Sequence, residues 1–396
     1  ALMIAPSLVW PAGLNVQDFL ADTWQQRPMR MPAALAGFRS PLSPDELAGL
    51  ACDEGVESRL VKHKDGTWSL RNGPFEESDL EQLETSDWSL LVQDVEKHLP
   101  ELAQILDPFR FLPSWRMDDL MISCAAPGGS VGPHVDAYDV FLIQAQGRRR
   151  WQWDSKTRAH HNRENSELSL VETFTPDEEW ITGPGDVLYL PPGVAHFGVA
   201  MPDDELCMTY SIGFRAPSCS EILQDLALRM AESPESGFAN PRYADPGISL
   251  NEAADGVISP AALARVRNML GQALSMDDHA LAGWFGSMVT EPKAWLQPLP
   301  NEESITPSQL IALLEKGLVP RRHGMALWAH WQGDDQVVLF IDGRSIHLDP
   351  ELAPLARDLC SQRELNLDGL TLRNSPKAAK LVTDLVNAGE LELDNE

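Results

Sequence analysis

The sequence predicts an α+β protein: a small β-sandwich or barrel in the middle of the chain, helices around it, and a mixed helix and hairpin unit after it. Three observations carry this expectation. Between residues 101 and 217 the apolar runs are short, β-rich and separated by Gly-Pro turns. From 218 to 300 the apolar residues recur at helical spacing instead. From 301 to 396 helical stretches flank two apolar runs joined by Asp342-Gly343, a favoured hairpin turn.

The elements follow in chain order. Residues 1–100 combine short helices with a hairpin. Segment 44–52 is helical in pattern, with Ser43 as cap and Pro44 at the first helical position. Residues 58–71 read as two strands around Asp65-Gly66, and 86–99 returns to helical spacing. In the central region the expected strands are 120–125, 140–145, 151–153, 187–190 and 207–214. Pro127-Gly128-Gly129 and Gly183-Pro184-Gly185 punctuate them.

Further on, Ser220 is expected to cap a helix carrying Ile222, Leu223, Leu226 and Met230. Ser259-Pro260 opens a second helix with Leu263, Val266, Leu270 and Leu274 as its stripe, and Asp277 opens a third. These stripes pack on the barrel or on a second copy of the chain. In 301–396, helices at 306–318, 350–360 and 375–388 and strands at 337–341 and 345–348 make a winged-helix-like unit.

Composition narrows the function. The 396 residues are 43% hydrophobic, ordinary for a soluble globular protein. No apolar run is long enough to span a bilayer, so no membrane role is expected, and the opening residues 1–10 lack the basic flank of a secretory signal. Five scattered cysteines without a C-x-x-C pair suggest neither a disulfide framework nor a thiolate zinc site. The expected setting is the reducing cytoplasm. Fifty-nine acidic against 31 basic residues give a net charge of −28. Such a surface repels nucleic acid and anionic lipid and attracts a basic partner. The last 96 residues carry nine basic against sixteen acidic side chains, so direct nucleic-acid binding is not expected of the winged-helix-like unit either.

The chemistry is concentrated in His134-Val135-Asp136 and, sixty positions after Asp136, His196. Alternation along an extended segment puts His134 and Asp136 on one face. Two imidazoles and a carboxylate suit a divalent metal of intermediate softness and leave coordination positions for a 2-oxo acid and dioxygen. Pro191-Pro192-Gly193 fixes a turn that aims His196 back into the sheet. H-x-D alone is a common chance pattern. P-P-G-x-x-H at this distance, with β-rich sequence between, makes it specific. In Gly147-Arg148-Arg149-Arg150-Trp151, alternation sets Arg149 and Trp151 on one face, and Arg149 becomes a clamp for a carboxylate. Ser123, on the strand 120–125, is a hydroxyl donor to the same anion. The bland alternative for the arginines is a solvated basic patch. His160-His161 lies in polar sequence and reads as a solvated loop, and Asp177-Glu178-Glu179 as an exposed turn.

These motifs, in this order and spacing, resemble the JmjC branch of the cupin oxygenases. The run from Asp118-Asp119 through Pro127-Gly128-Gly129 to His134-Val135-Asp136-Ala137-Tyr138-Asp139, together with Tyr210-Ser211-Ile212-Gly213-Phe214, resembles the bacterial ribosomal oxygenases. The resemblance implies a double-stranded β-helix barrel at 101–217 and an N-terminal part, 1–100, packed on it. It implies a helical dimerisation region at 218–300, hence a homodimer, and a winged-helix domain at 301–396. It implies iron(II) on His134, Asp136 and His196, with 2-oxoglutarate and dioxygen as cosubstrates and Ser123 and Arg149 as the 2-oxoglutarate contacts. It also implies hydroxylation of an arginine in a basic large-subunit ribosomal protein, the one numbered sixteen. A negative surface suits such a partner. Asp118, Asp119 and Asp139 are then candidates to pair with the guanidinium, and Tyr138 to cover its stem. Three other readings stay open: a JmjC-type demethylase, a cupin isomerase on zinc or manganese, and a cupin binding module without turnover.

Overall fold

The computed structural model describes residues 8–156, 168–202, 205–232, 240–248 and 257–395. Twelve strands build the first three-fifths of the chain. They are β1 (Met29–Met31), β2 (Ser58–Lys64), β3 (Thr67–Asn72), β4 (Trp88–Val92), β5 (Met117–Ala125), β6 (His134–Val135), β7 (Asp139–Gln146), β8 (Arg149–Trp153), β9 (Glu178–Thr182), β10 (Val187–Leu190), β11 (Ala195–Ala200) and β12 (Cys207–Phe214). They form an eight-stranded sheet in the order β1-β10-β7-β12-β5-β4-β2-β3 and a four-stranded sheet in the order β6-β11-β8-β9. All pairings are antiparallel. This is the double-stranded β-helix of the cupin type.

Burial on both faces explains the composition of the central strands. Every residue of β12, and all of β7 but Gln146, is buried. One face of the large sheet packs on the N-terminal segment through an aromatic cluster, with Phe141 ringed by Phe19, Phe109 and Tyr189 at centroid distances of 4.8–5.8 Å. The residues between, Val140 and Leu142, point the other way and pack with Trp151, Trp153 and Val194 of the small-sheet side. The hairpin at Asp65-Gly66 forms as expected, with both residues at positive φ.

Beyond the barrel come helices Cys219–Glu232, Pro260–Leu274 and Asp278–Val289. The last of these packs on a three-stranded sheet of β14 (Trp328–Gln332), β15 (Val337–Ile341) and β16 (Arg344–Leu348). Strands β13 (Leu318–Arg322) and β17 (Leu391–Asn395) pair separately. Helices Pro307–Leu314, Ala353–Ser361, Gly369–Asn374 and Pro376–Asn387 close the core of this unit. Trp115, just before β5, meets Phe285 edge-on at 5.4 Å and ties the unit to the barrel.

Three expectations need correction. Residues 88–92 are a strand, fully buried between β2 and β5, where helical spacing was expected. A continuous apolar run buried on both faces carries no period that separates strand from helix. The helix at 219 is capped by Ser218, whose hydroxyl accepts from the Glu221 amide while the Glu221 carboxylate accepts from Ser218 N. The helix expected to run from 306 to 318 stops at Leu314, because Gly317 turns left-handed (φ +93°) and Leu318 opens a strand. His160 and His161 lie outside the described residues. The Leu263, Val266, Leu270 and Leu274 stripe stays 41–60% exposed, so the barrel does not cover it.

Candidate metal centre and its cavity

Strand register brings the two histidines together. In the β6–β11 ladder His134 and His196 are direct partners, and their ring centroids lie 4.2 Å apart. The turn before β11 closes on the third residue, with the Gly193 amide donating to the Asp136 carbonyl at 2.9 Å. His134 Nε2 then lies 3.6 Å from Asp136 Oδ1, and His196 Nε2 3.5 Å from Oδ2.

The outward nitrogens fix which atoms face the centre. His134 Nδ1 is 2.9 Å from the Gly132 carbonyl, and His196 Nδ1 is 3.0 Å from the Val194 carbonyl. A carbonyl only accepts, so each Nδ1 carries the proton and each Nε2 presents a lone pair. Burial and the neighbouring His134 push the His196 pKa down to about 4, which keeps that imidazole neutral. Two imidazoles and one carboxylate, with ligand atoms within 4.8 Å of one another, are the donor set a divalent metal requires. Among the described residues this is the one such group.

The triad lines a cavity of about 340 Å³ between the two sheets. Arg149, Ser123, Asp119 and Tyr138 line it too. Arg149 is 4% exposed, and its Nε and Nη2 have no hydrogen-bond partner among the described residues. The guanidinium rests 5.6 Å from the Trp151 ring centroid, but two buried donors without an acceptor are costly, so the site fits a bound anion. Arg149 stands four residues along β8 from Trp153, the partner of His196, which is roughly 13 Å of strand. Triad and guanidinium therefore face the two ends of one elongated space.

Alternation on β5 separates the two candidate acids. Asp119 faces the cavity, and burial with nearby Asp118 and Asp94 raises its pKa to about 7. Asp118 does not line it; its carboxylate accepts from Arg215 Nε at 2.7 Å. Asp139 is not in the cavity either. It is fully buried at the start of β7, accepting from the Tyr189 hydroxyl, the Gln25 amide and the Arg116 guanidinium. Its carboxylate pins the N-terminal segment to the barrel and has no face left for a guest. Tyr138, 38% exposed, stands at the cavity's edge.

Sequence reasoning missed Thr209 and Ser211, which line the same cavity. Thr209 is the register partner of Ser123, and Ser211 that of Met121. The signal was available: Thr209, Ser211 and Gly213 alternate as small residues within an otherwise large apolar strand. Arg59 and Gln93, from the N-terminal part, complete the wall. No local pattern marks them, because β2 reaches the barrel only through β4.

Gly198 has a specific task. A Cβ there would meet the Trp151 ring at 2.5 Å, and that ring lies 6.0 Å from His196. Gly198→Ala is expected to cost about 1–3 kcal/mol by overpacking. It should also weaken metal binding, as Trp151 is pushed toward His196. Thermal melts and metal titration of the variant check both effects.

A JmjC-domain family model matches residues 104–222, and a ROXA-like winged-helix model matches 273–392. The Escherichia coli K12 protein named ribosomal protein uL16 3-hydroxylase is 40% identical over 313 residues, 78% of this chain and 81% of that protein. A probable ribosomal oxygenase of Haemophilus influenzae is 37% identical over 247 residues, 61% of this chain and 57% of its own length. The crystal structure of E. coli YcfD superposes with a TM-score of 0.83 at 34% identity, covering 99% of this chain and all of YcfD. YcfD, a ribosomal oxygenase, in complex with cobalt and 2-oxoglutarate gives 0.81 at 35% identity, over 98% of this chain and all of that one.

Proposed function

As the chain belongs to the JmjC-domain ribosomal oxygenases, we propose that it hydroxylates an arginine side chain of a basic ribosomal protein, the large-subunit protein numbered sixteen, using iron(II) and 2-oxoglutarate. The observation that carries this reading is the unpartnered, buried Arg149 in the cavity that also holds the triad. An anion clamp opposite a metal centre suits a cosubstrate that carries a carboxylate at each end.

His134 and His196 would hold the iron through Nε2 and Asp136 through a carboxylate oxygen. Arg149, with the Ser123 hydroxyl, would hold the remote carboxylate of 2-oxoglutarate. When bound, the metal and cosubstrate supply, with dioxygen, the oxidising power that places one oxygen atom in a C–H bond while 2-oxoglutarate becomes succinate and carbon dioxide. The chain itself positions and dries the site. Val140, Leu142 and Leu170 wall the cavity and exclude water. Asp119, whose pKa burial raises to about 7, would be the partner of a guanidinium guest, and Tyr138 would cover its aliphatic stem.

Mass spectrometry of the ribosomal protein after turnover tests the reaction. A gain of one oxygen on arginine is expected, and formaldehyde release would mark a demethylase instead. Asp119→Asn is expected to lower kcat/KM for an arginine peptide by about 10-fold or more, as a buried charge-assisted bond is lost. Unchanged kinetics in Asp119→Asn and Tyr138→Ala would remove both from recognition.

The −28 charge would speed encounter with a basic partner, so kcat/KM should fall as salt rises. A ribosomal substrate implies action in the cytoplasm. No described helix is long and apolar enough to cross a membrane. The exposed stripe of helix Pro260–Leu274 is suited to a second copy of the chain. Sedimentation should give a dimer that Leu270→Glu with Leu274→Glu dissociates. A monomeric wild-type chain at high concentration would exclude it.

A further inference from the structure

A second cavity, of about 100 Å³, lies where the C-terminal unit meets the barrel. Its walls come from the segment before β5 and from β13, β14 and their neighbours, and include Arg110, Arg322, Arg363 and Trp328. Three buried donors on these walls have no acceptor among the described residues: Arg321 Nε, Arg322 Nε and Trp328 Nε1. Arg322 is held by one bond, from Nη1 to the Cys360 carbonyl at 3.1 Å.

The other charges around the cavity are already matched. Arg110 pairs with Asp107, Arg321 with Asp394 and Glu364, and Arg363 with Glu364. The carboxylates on the wall are engaged as well. Asp118 accepts from Arg215, Glu96 from the Leu120 amide, and Glu392 sits 3.6 Å from His323. Arg322 is half-buried with its Nε enclosed, and among the described residues it is left without a carboxylate partner beside two further guanidiniums. Burial and nearby Arg110 push its pKa down to about 9. A guanidinium does not discharge at neutral pH, so this arrangement calls for a negative guest.

We propose that this interdomain cavity binds a small free oxyanion of phosphate size, which accepts hydrogen bonds from Arg322 and the Trp328 indole N–H, and that the bound anion fastens the C-terminal unit to the barrel. The space suits such an ion or a few waters and is too small for a nucleotide. Its walls derive from 96–118 on one side and 321–392 on the other, so an occupant contacts both units.

The test uses the full metal-free chain, melted in sodium phosphate and in sodium chloride of equal ionic strength. Phosphate should raise Tm saturably by about 2–4 °C over chloride. Arg322→Met should melt at or above the wild type in chloride, since the uncompensated charge is gone, and should lose the phosphate response. That loss also separates this cavity from Arg149, which remains intact in the variant. Should Arg322→Met not fold, Trp328→Phe decides, and is expected to weaken phosphate several-fold. The proposal is overturned if phosphate gives no rise beyond chloride, which leaves water as the partner, or if the rise persists unchanged in the variant tested.

Discussion

His196→Ala is expected to lose at least about 100-fold in turnover and most of its bound metal. Replacing a residue that merely orients a ligand costs about 10–100-fold, so removing a ligand costs more. The position admits no substitute. His196 is buried, its Nδ1 is occupied by the Val194 carbonyl, and its Nε2 faces Asp136 and His134 across the β6–β11 ladder. Asp136→Ala should behave alike, because the carboxylate stands between the two imidazoles. Iron content and succinate release from 2-oxoglutarate, measured on the same samples, check this. A variant that keeps both metal and turnover would mean that the three side chains do not share an ion.

Arg149→Met should raise the KM for 2-oxoglutarate by about 100-fold or more and leave iron binding nearly unchanged. Truncating one member of a buried, hydrogen-bonded charge pair costs about 2–5 kcal/mol, and 2.7 kcal/mol is about a factor of 100. The split between KM and metal affinity is the informative part. A general disturbance of the barrel would move both. Stability should move the other way: without cosubstrate, the variant should melt at or above the wild type, because an unpartnered buried charge has been removed. Arg149→Lys should restore part of the affinity, as a point charge reaches the carboxylate without the fork geometry. An unchanged KM in Arg149→Met would place the cosubstrate elsewhere.

Much of this site was legible in the sequence because its parts are local. His134 and Asp136 are two residues apart on extended chain, and Pro191-Pro192-Gly193 aims His196 within five residues. Alternation likewise placed Arg149 with Trp151, and the structure buries both. What stayed hidden depends on contacts between distant segments. By sequence Asp139 is a candidate to pair with the guest's guanidinium. It is buried because Gln25, Arg116 and Tyr189 come from three other parts of the chain to meet it. Asp118 and Asp119 were indistinguishable until the pleat of β5 sent one to Arg215 and the other to the cavity. Strand β4 was mistaken for helix because its neighbours on both sides erase the polar face that marks a strand. Helices opened by Ser43-Pro44 and Ser259-Pro260 were found because caps are local chemistry.

Anaerobic crystals grown with manganese(II), standing in for iron, and 2-oxoglutarate would decide whether triad and guanidinium serve one ligand. The expected result is a metal peak about 2.0–2.2 Å from His134 Nε2, His196 Nε2 and an Asp136 oxygen, as is usual for first-row ions with these donors. The far carboxylate of 2-oxoglutarate should be paired with Arg149. A metal peak away from these three atoms, or a cosubstrate that leaves Arg149 without a partner, would contradict it.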